Sequence, residues 1–455
     1  YIYFIGIGGI GMSNLARYFL LKGRRVGGYD RAESELTKKL TEEGALVHYD
    51  DDPKSIPTEF TNNTNTLVVY TPAVPSSHKE LNYFKNNNFK VVKRAQLLGE
   101  ITKYSDAVCV AGTHGKTTVS SMVAHLFKQS HLNCNAFLGG ILKNYNSNMI
   151  LSEKSNYTVV EADEYDRSFH WLRPHIAIIT SVDLDHLDIY GSEESYKESF
   201  EKFTSLIREG GHLIMKKGIT LSTQENDKVK IWSYSEMEGD FHDENIRIGN
   251  GEIKFDYVSP FGSIEEVSLG VPVKINIENS IAAMAAAELS GATPEEIRNA
   301  VSSFMGVKRR FEFHLKTNDV VYIDDYAHHP EELKAAITSI KALYPNKKLT
   351  AIFQPHLFSR TRDFADEFAQ CLSQADDVIL LDIYPAREEP IEGITSQIIY
   401  NKITSIEKNL CSKKDLLNLL VEKKPELVVT FGAGDIDRMI PEIIKTLSQI
   451  FKLDY

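Results

Sequence analysis

The 455-residue chain is predicted to be an α/β protein of three domains, and three observations predict it. Its length exceeds what one ordinary core fills, so roughly two to four domains are expected. Apolar, strand-like runs alternate with amphipathic helical stretches from end to end, which is the pattern of mostly parallel sheets. Two of the strand–turn–helix junctions are rich in glycine, one at the N-terminus and one near residue 112. The reading divides the chain into a Rossmann-like unit over 1–105, a central unit over 106–305 with a mostly parallel sheet plus a small β-sheet, and a second Rossmann-like unit over 306–455.

The first unit opens with a strand over 2–7, a glycine turn and a helix over 9–22. Arg25 to Asp30 reads as a second strand ending at an acid, and Thr66 to Tyr70 as a buried strand before the turn-rich Thr71-Pro72-Ala73-Val74-Pro75. A further strand, 89–92, follows the Asn86-Asn87-Asn88 loop. In the central unit, strands are expected at 107–111, 157–161 and 176–182, with a helix over 117–130. Residues 229–273 read as short strands with Gly and Asn turns, and Ala282 to Leu289 as a small-residue helix that packs closely on a neighbour. The third unit carries strands at 319–324, 349–353, 378–383 and 427–431, with helices between them.

Bulk properties narrow the function. The formal charge of −12 makes the chain a poor general binder of polyanions, so nucleic acid is not expected as a partner. Any phosphate it holds must be held by local groups against the net field. No run approaches the roughly 20 apolar residues of a membrane span. The first residues lack a basic region and a small-residue cleavage site, so no signal peptide is expected. Cys109, Cys134, Cys371 and Cys411 form no C-x-x-C pair and read as free thiols of a reducing compartment, which predicts a cytoplasmic location.

Gly6-Ile7-Gly8-Gly9-Ile10-Gly11 fits G-x-G-x-x-G between a strand and a helix, and Asp30 closes the next strand. The glycines permit a tight turn and close backbone approach, and the helix start offers free N–H groups to a diphosphate. Alone, this motif predicts an NAD(P)-dependent oxidoreductase, although any nucleoside diphosphate meets the same physics. Gly112-Thr113-His114-Gly115-Lys116-Thr117-Thr118 follows an apolar strand and opens a helix, as a P-loop does. Its N–H groups would cradle phosphates, Lys116 would reach the terminal phosphates of ATP, and the Thr117 hydroxyl would face Mg²⁺. The strict P-loop spacing places its first Gly where Val110 stands, so the turn must be made at Gly112.

Glu161 ends the strand Tyr157 to Val160 and begins the acidic string Glu161-Ala162-Asp163-Glu164-Tyr165-Asp166. Asp183-Leu184-Asp185-His186-Leu187-Asp188 closes the next predicted strand. In a parallel sheet both clusters emerge at one edge, where carboxylates, the imidazole and Thr117 would hold Mg²⁺. The third unit carries Val307-Lys308-Arg309-Arg310-Phe311, Asp324-Asp325-Tyr326-Ala327-His328-His329-Pro330 and Gln354 to Arg362. The two histidines have no partners at zinc spacing, so polar substrate contacts are expected of them. Arg360 and Arg362 are of the type that grips a carboxylate or phosphate in a bidentate manner.

Together these strings resemble the Mur ligases, the amino-acid-adding enzymes of peptidoglycan synthesis, in motif order and over nearly the whole chain. The resemblance implies an ATP- and Mg²⁺-dependent ligase that forms an amide through an acyl phosphate. GIGGIGMS at Gly6–Ser13 and FQPHLFSRTR at Phe353–Arg362 point to the member that joins L-alanine to the lactyl carboxylate of UDP-N-acetylmuramate. It implies UDP contacts from Gly8, Gly9, Ile10, Gly11 and Asp30, with Thr71 and Ala73 nearby. The implied ATP site comprises Gly112, Thr113, His114, Gly115, Lys116, Thr117, Thr118 and Asn279, with Arg310 at the γ-phosphate and Asp325 at the ribose. Thr117, Glu161 and His186 match family positions at Mg²⁺. Tyr326, His329, Arg360 and Arg362 match the alanine and muramate-carboxylate region, with His329 a candidate base. The family's adenine-side Gly and His are replaced here by Val273 and Ile275, while Asn276 and Asn279 remain. Tyr165 and Arg167 are similar to a sister ligase that adds a tripeptide, which is the alternative for the amine substrate.

Overall fold

The strand Ile2–Ile5 is fully apolar because both faces of it are covered: Tyr3, Phe4 and Ile5 have no exposed surface. It lies at the centre of a five-stranded parallel sheet in the order Leu46–His48, Val26–Tyr29, Ile2–Ile5, Leu67–Tyr70, Lys90–Lys93. The computed structural model describes every residue except Pro72, Asp185, His186, 224–227, Asn250, Arg387, Ile406 and 454–455, and the side chains of Leu187 and Asp188. His186, expected at the metal, therefore lies outside the described residues. The helix Ile10–Leu21 begins directly after the glycine turn, as expected.

A seven-stranded sheet follows, in the order Lys230–Tyr234, His212–Lys216, Ile176–Ile179, Asp106–Ala111, Tyr157–Glu161, Asn135–Leu142, Ser147–Ile150. All neighbours run parallel except the last pair. The strands before the P-loop and before Glu161 are thus adjacent, and Ile176–Ile179 flanks them on the other side. A strand to residue 182 was expected, but pairing stops at Ile179. Beyond it the chain is diverted onto the P-loop: Thr113 N–H donates to the Ser181 carbonyl at 3.3 Å, and His114 N–H to the Ser181 hydroxyl at 2.8 Å. The small sheet predicted over 229–273 is antiparallel, His242–Gly249, Glu252–Ser259 and Gly262–Ser268, with Lys230–Tyr234 belonging to the large sheet instead. The alanine helix starts earlier than expected, at Ile275: its first turns bury Ile277 and Ile281 four residues apart, an apolar pair interrupted in sequence by Glu278, Asn279 and Ser280. Ala282 to Ala287 are fully buried and pack against the P-loop helix Lys116–Gln129.

The third sheet runs Glu312–Lys316, Val321–Asp325, Leu427–Phe431, Leu349–Phe353, Asp377–Leu380, Glu407–Leu410, parallel throughout except for its first strand. That first strand reads EFHLK, too polar to stand out in sequence, and it lies at the sheet's edge. Central and C-terminal units are stitched together by backbone. Leu142 bridges Val307, Lys143 N–H donates to the Gly306 carbonyl at 3.0 Å, and Lys308 N–H to Ile141 at 2.9 Å. Lys143 also pairs with Glu312 at 3.2 Å. Among the described residues no helix is long and apolar enough to cross a membrane.

Candidate functional site

The N-terminal glycine turn is built around Asp30. Gly6 takes φ +84°, a left-handed value that favours glycine. Gly8 N–H donates to Asp30 Oδ2 at 2.7 Å, and Arg31 N–H donates to Oδ1 at the same distance. A side chain at Gly8 would stand 2.7 Å from Thr37 and 2.9 Å from Asp30. Asp30 therefore shapes the turn, and its carboxylate is already shared between two backbone donors. Gly9 caps the helix without a side-chain hydrogen bond, so the first N–H groups of Ile10–Leu21 face outward, the arrangement that receives anions. Ile10 is exposed at this mouth, Thr71 borders it, and Ala73 lies exposed on the turn beyond.

A cleft of about 350 Å³ runs from this turn to the central sheet. Gly9, Gly11, Thr71 and Arg94 line one side, and Gly139, Glu161 and Asp163 the other. Arg94, which sequence reasoning missed, opens the helix Arg94–Lys103. Its guanidinium lies so close to Gly11 that a Cβ there would stand 2.9 Å from Nη1, so Gly11 makes room for it. The available signal was modest: a basic residue at the end of a parallel strand, with no acid beside it in sequence.

The P-loop turns as Gly112 demands. Its φ is +142°, and a Cβ would meet the Thr180 hydroxyl at 2.1 Å. Gly115 takes φ +83° with Asn279 Oδ1 3.3 Å from where its Cβ would be, which sets Asn279 beside the loop. Asn279 is oriented by donation to Asn276 Oδ1 at 3.1 Å, and Ile275 is half exposed at the same helix start. Thr113 is tied to the Asp183 carbonyl and the Tyr196 hydroxyl; His114 is exposed and Thr118 half-buried. Lys116 Nζ pairs with Glu164 at 2.8 Å. The Thr117 hydroxyl donates to Glu161 Oε1 at 3.0 Å, and Gly139 N–H donates to Glu161 Oε2 at 3.0 Å. An all-oxygen pair of hydroxyl and carboxylate beside a phosphate loop is a donor set that suits a hard cation.

The two adjacent arginines have different tasks. Arg309, at φ +61°, is turned into the C-terminal unit: Nη2 donates to the Gly432 carbonyl, Nε approaches Asp324 at 3.4 Å, and the guanidinium stacks 5.1 Å from the Tyr326 ring. Arg310 points the other way, with Nη2 3.5 Å from the Thr117 hydroxyl. Asp325 accepts from Phe311 N–H and Ala327 N–H, both at 2.7 Å, and burial pushes its pKa up to about 6. Tyr326 is exposed and makes an edge contact with His328 at 5.2 Å. His329 caps the helix Pro330–Leu343, and its ring packs edge-on against Phe364. Arg360 and Arg362 part company. Arg360 Nη1 is buried without a hydrogen-bond partner, whereas Arg362 faces solvent and pairs with Asp363 at 2.7 Å. The two guanidinium groups, expected from their residue type to grip an anion, are thus turned to different surroundings by the helix Phe358–Asp363.

Glycine turn, P-loop, carboxylate and inward arginine on three consecutive α/β units define a nucleotide-using enzyme of the multidomain ligase class. Matches to known proteins specify it. The Mur ligase family catalytic domain model matches residues 1–105, the Mur ligase middle domain 110–287 and the Mur ligase glutamate ligase domain 309–434. The chain belongs to the Mur ligase family. A UDP-N-acetylmuramate–L-alanine ligase of Phocaeicola vulgatus is 59% identical over 98% of both chains, and one of Parabacteroides distasonis is 59% identical over 98% of this chain and 97% of its own. The crystal structure of a UDP-N-acetylmuramate–alanine ligase from Thermotoga maritima aligns with TM-score 0.75 at 26% identity, over 98% of this chain and 99% of that one. A murein peptide ligase from Psychrobacter arcticus shares the fold at TM-score 0.59 and 22% identity over 98% of each chain.

Proposed function

We propose that this enzyme joins L-alanine to the lactyl carboxylate of UDP-N-acetylmuramate at the expense of ATP, a step of peptidoglycan precursor synthesis. The observation that carries this reading is that the Thr117 hydroxyl, next to Lys116 on the P-loop, meets both Glu161 and Arg310, and that Glu161 lines the cleft whose other side is the N-terminal glycine turn. One bound molecule can then reach from a diphosphate site to a phosphoryl-transfer site.

A carboxylate has no good leaving group, so it must first be activated. The lactyl oxygen attacks the γ-phosphorus of ATP, the bond to the β-phosphate oxygen breaks, and ADP leaves an acyl phosphate. Two anions meet in that step. Lys116 and Arg310 offset the repulsion with fixed charge, at the position where charge develops. Thr117 and Glu161, with His186 as the third expected ligand, would hold Mg²⁺, which neutralises phosphate charge when bound. Gly8 and Gly9, whose N–H groups are spent on Asp30 and Gly6, leave room for the UDP diphosphate to approach, and the N–H groups of Ile10 and Gly11 at the helix start bind it, with Arg94 as counter-charge. Asn279 and Asp325 border the nucleoside of ATP. The free amine of alanine then attacks the acyl carbon. The tetrahedral adduct collapses with loss of phosphate, and the amine gives up its proton. Arg360 takes the amino-acid carboxylate, beside Tyr326 and His329. The stitched junction at 306–308 keeps the C-terminal unit over the P-loop and limits the entry of water.

We place the reaction in the cytoplasm, in keeping with its ATP supply and with four thiols that form no disulfide. With a net charge of −12 the chain is a poor general polyanion binder, and no nucleic-acid partner is proposed. The N-terminal motif alone also fits an NAD(P)-dependent oxidoreductase, a reading that leaves Lys116 and Glu161 without a task. ADP release should be measured with ATP, UDP-N-acetylmuramate and, in turn, L-alanine, glycine, L-serine or tripeptide. Strong release with alanine is expected; preference for tripeptide would reassign the amine, and no release with any of them would end the proposal.

A further inference from the structure

Lys116 spends its ammonium donors on protein acceptors. Nζ donates to Glu164 Oε1 at 2.8 Å, to the Thr113 carbonyl at 3.3 Å and to the Gly112 carbonyl. Glu164 is 2% exposed, and its other oxygen, Oε2, is buried with no hydrogen-bond partner. A buried carboxylate with one unsatisfied oxygen depends heavily on its single cation.

The backbone leaves Glu164 little freedom to follow Lys116 elsewhere. Its carbonyl accepts from Arg167 N–H at 2.9 Å and from the Tyr190 hydroxyl, and Tyr190 is buried. The next residues but one, Asp166 and Arg167, take φ +50° and +55°, left-handed values that cost energy for side chains other than glycine. Arg167 stacks 5.0 Å from the Tyr190 ring, which holds the kinked turn in place. The carboxylate is therefore presented to the P-loop ammonium by a fixed scaffold.

From this we infer that Glu164 is an internal competitor of nucleotide phosphate for Lys116. Phosphate engages Lys116 by exchange against the Glu164 carboxylate, and nucleotide affinity is set below what the loop alone would reach. The functional gain is the release of ADP, since a product that must be let go is displaced by a carboxylate already in reach, and product release sets the turnover of many enzymes. The inference rests on the reading of Lys116 as a phosphate ligand.

The test is calorimetric titration of ADP with magnesium into the full chain as wild type, Glu164→Gln, Lys116→Met and the double variant. Glu164→Gln should bind ADP on the order of tenfold more tightly. Lys116→Met should bind it more weakly, and adding Glu164→Gln to it should change affinity less than about twofold, because the competition acts only through the ammonium. Unchanged or weaker ADP binding by a cooperatively melting Glu164→Gln protein overturns the inference and leaves the P-loop reading intact. Undiminished binding by Lys116→Met overturns that reading itself. Should the Gln variant not fold, Glu164→Asp, which withdraws the charge by one methylene, must show the same tightening, and its failure to do so counts equally against the inference.

Discussion

Arg310 of the C-terminal unit reaches to within 3.5 Å of the Thr117 hydroxyl of the P-loop, so one guanidinium joins two domains at the expected point of phosphoryl transfer. Its neighbour Arg309 faces away and anchors the junction. Replacing Arg310 with Ala should lower kcat about 10²–10³-fold, as loss of a single transition-state charge does, with a smaller change in KM for ATP. A coupled ADP-release assay measures it. Turnover within a factor of three of wild type would remove Arg310 from the mechanism.

Arg94 lies at the other end of the cleft, against Gly11 and the start of an uncapped helix. Arg94→Ala should raise KM for UDP-N-acetylmuramate about 10- to 100-fold, in line with a charge-assisted hydrogen bond of about 1.5–3 kcal/mol, and leave KM for ATP unchanged. Equal effects on both substrates would argue for general damage to the fold.

Gly112 has no room for a methyl group, with the Thr180 hydroxyl 2.1 Å from the Cβ position and φ at +142°. Gly112→Ala should therefore distort the loop, abolish nucleotide binding and lower the melting temperature by several degrees. The companion change Thr180→Ala removes the nearer obstacle but not the backbone strain, so it should not restore binding.

Glu80 has no exposed surface and accepts from the Tyr3 hydroxyl at 2.8 Å, and burial raises its pKa from 4.5 to about 8. The folded protein keeps this proton after the unfolded chain has lost it. Stability from this group is thus full below about pH 4.5, falls as pH rises towards 8, and is level above that. Glu80→Gln should flatten the ramp: its melting temperature should gain on the wild type by several degrees between pH 5 and pH 8.5. A constant difference between the two proteins across that range would refute the assignment.

Much of this was legible because strand ends and glycine loops carry local signals. Gly6 to Gly11, Gly112 to Thr118 and Glu161 each stand where a parallel strand delivers its residues to one edge, and the structure brings the last two together through Thr117. What sequence could not show were relations across the chain. Asp30 appears in sequence as a free acid after a strand, yet its oxygens are consumed by Gly8 and Arg31. Arg360 and Arg362 look alike, but two residues on a helical turn face different ways, and only Arg360 turns inward. Ser181 reads as part of a strand by its apolar approach, and only the folded loop reveals that its backbone and hydroxyl serve Thr113 and His114. Glu164 is one carboxylate of an acidic string, and nothing local marks it as the partner of a lysine 48 residues away.

The backbone bridge between Leu142 and Val307 sits at the root of the C-terminal unit. Arg310 lies three residues past Val307, within about 11 Å of extended chain, so its guanidinium is tethered to the central unit by the junction itself. Custody of the phosphate is thereby built into the joint between the two units: Arg310 keeps its station over the P-loop because the chain leading to it is pinned.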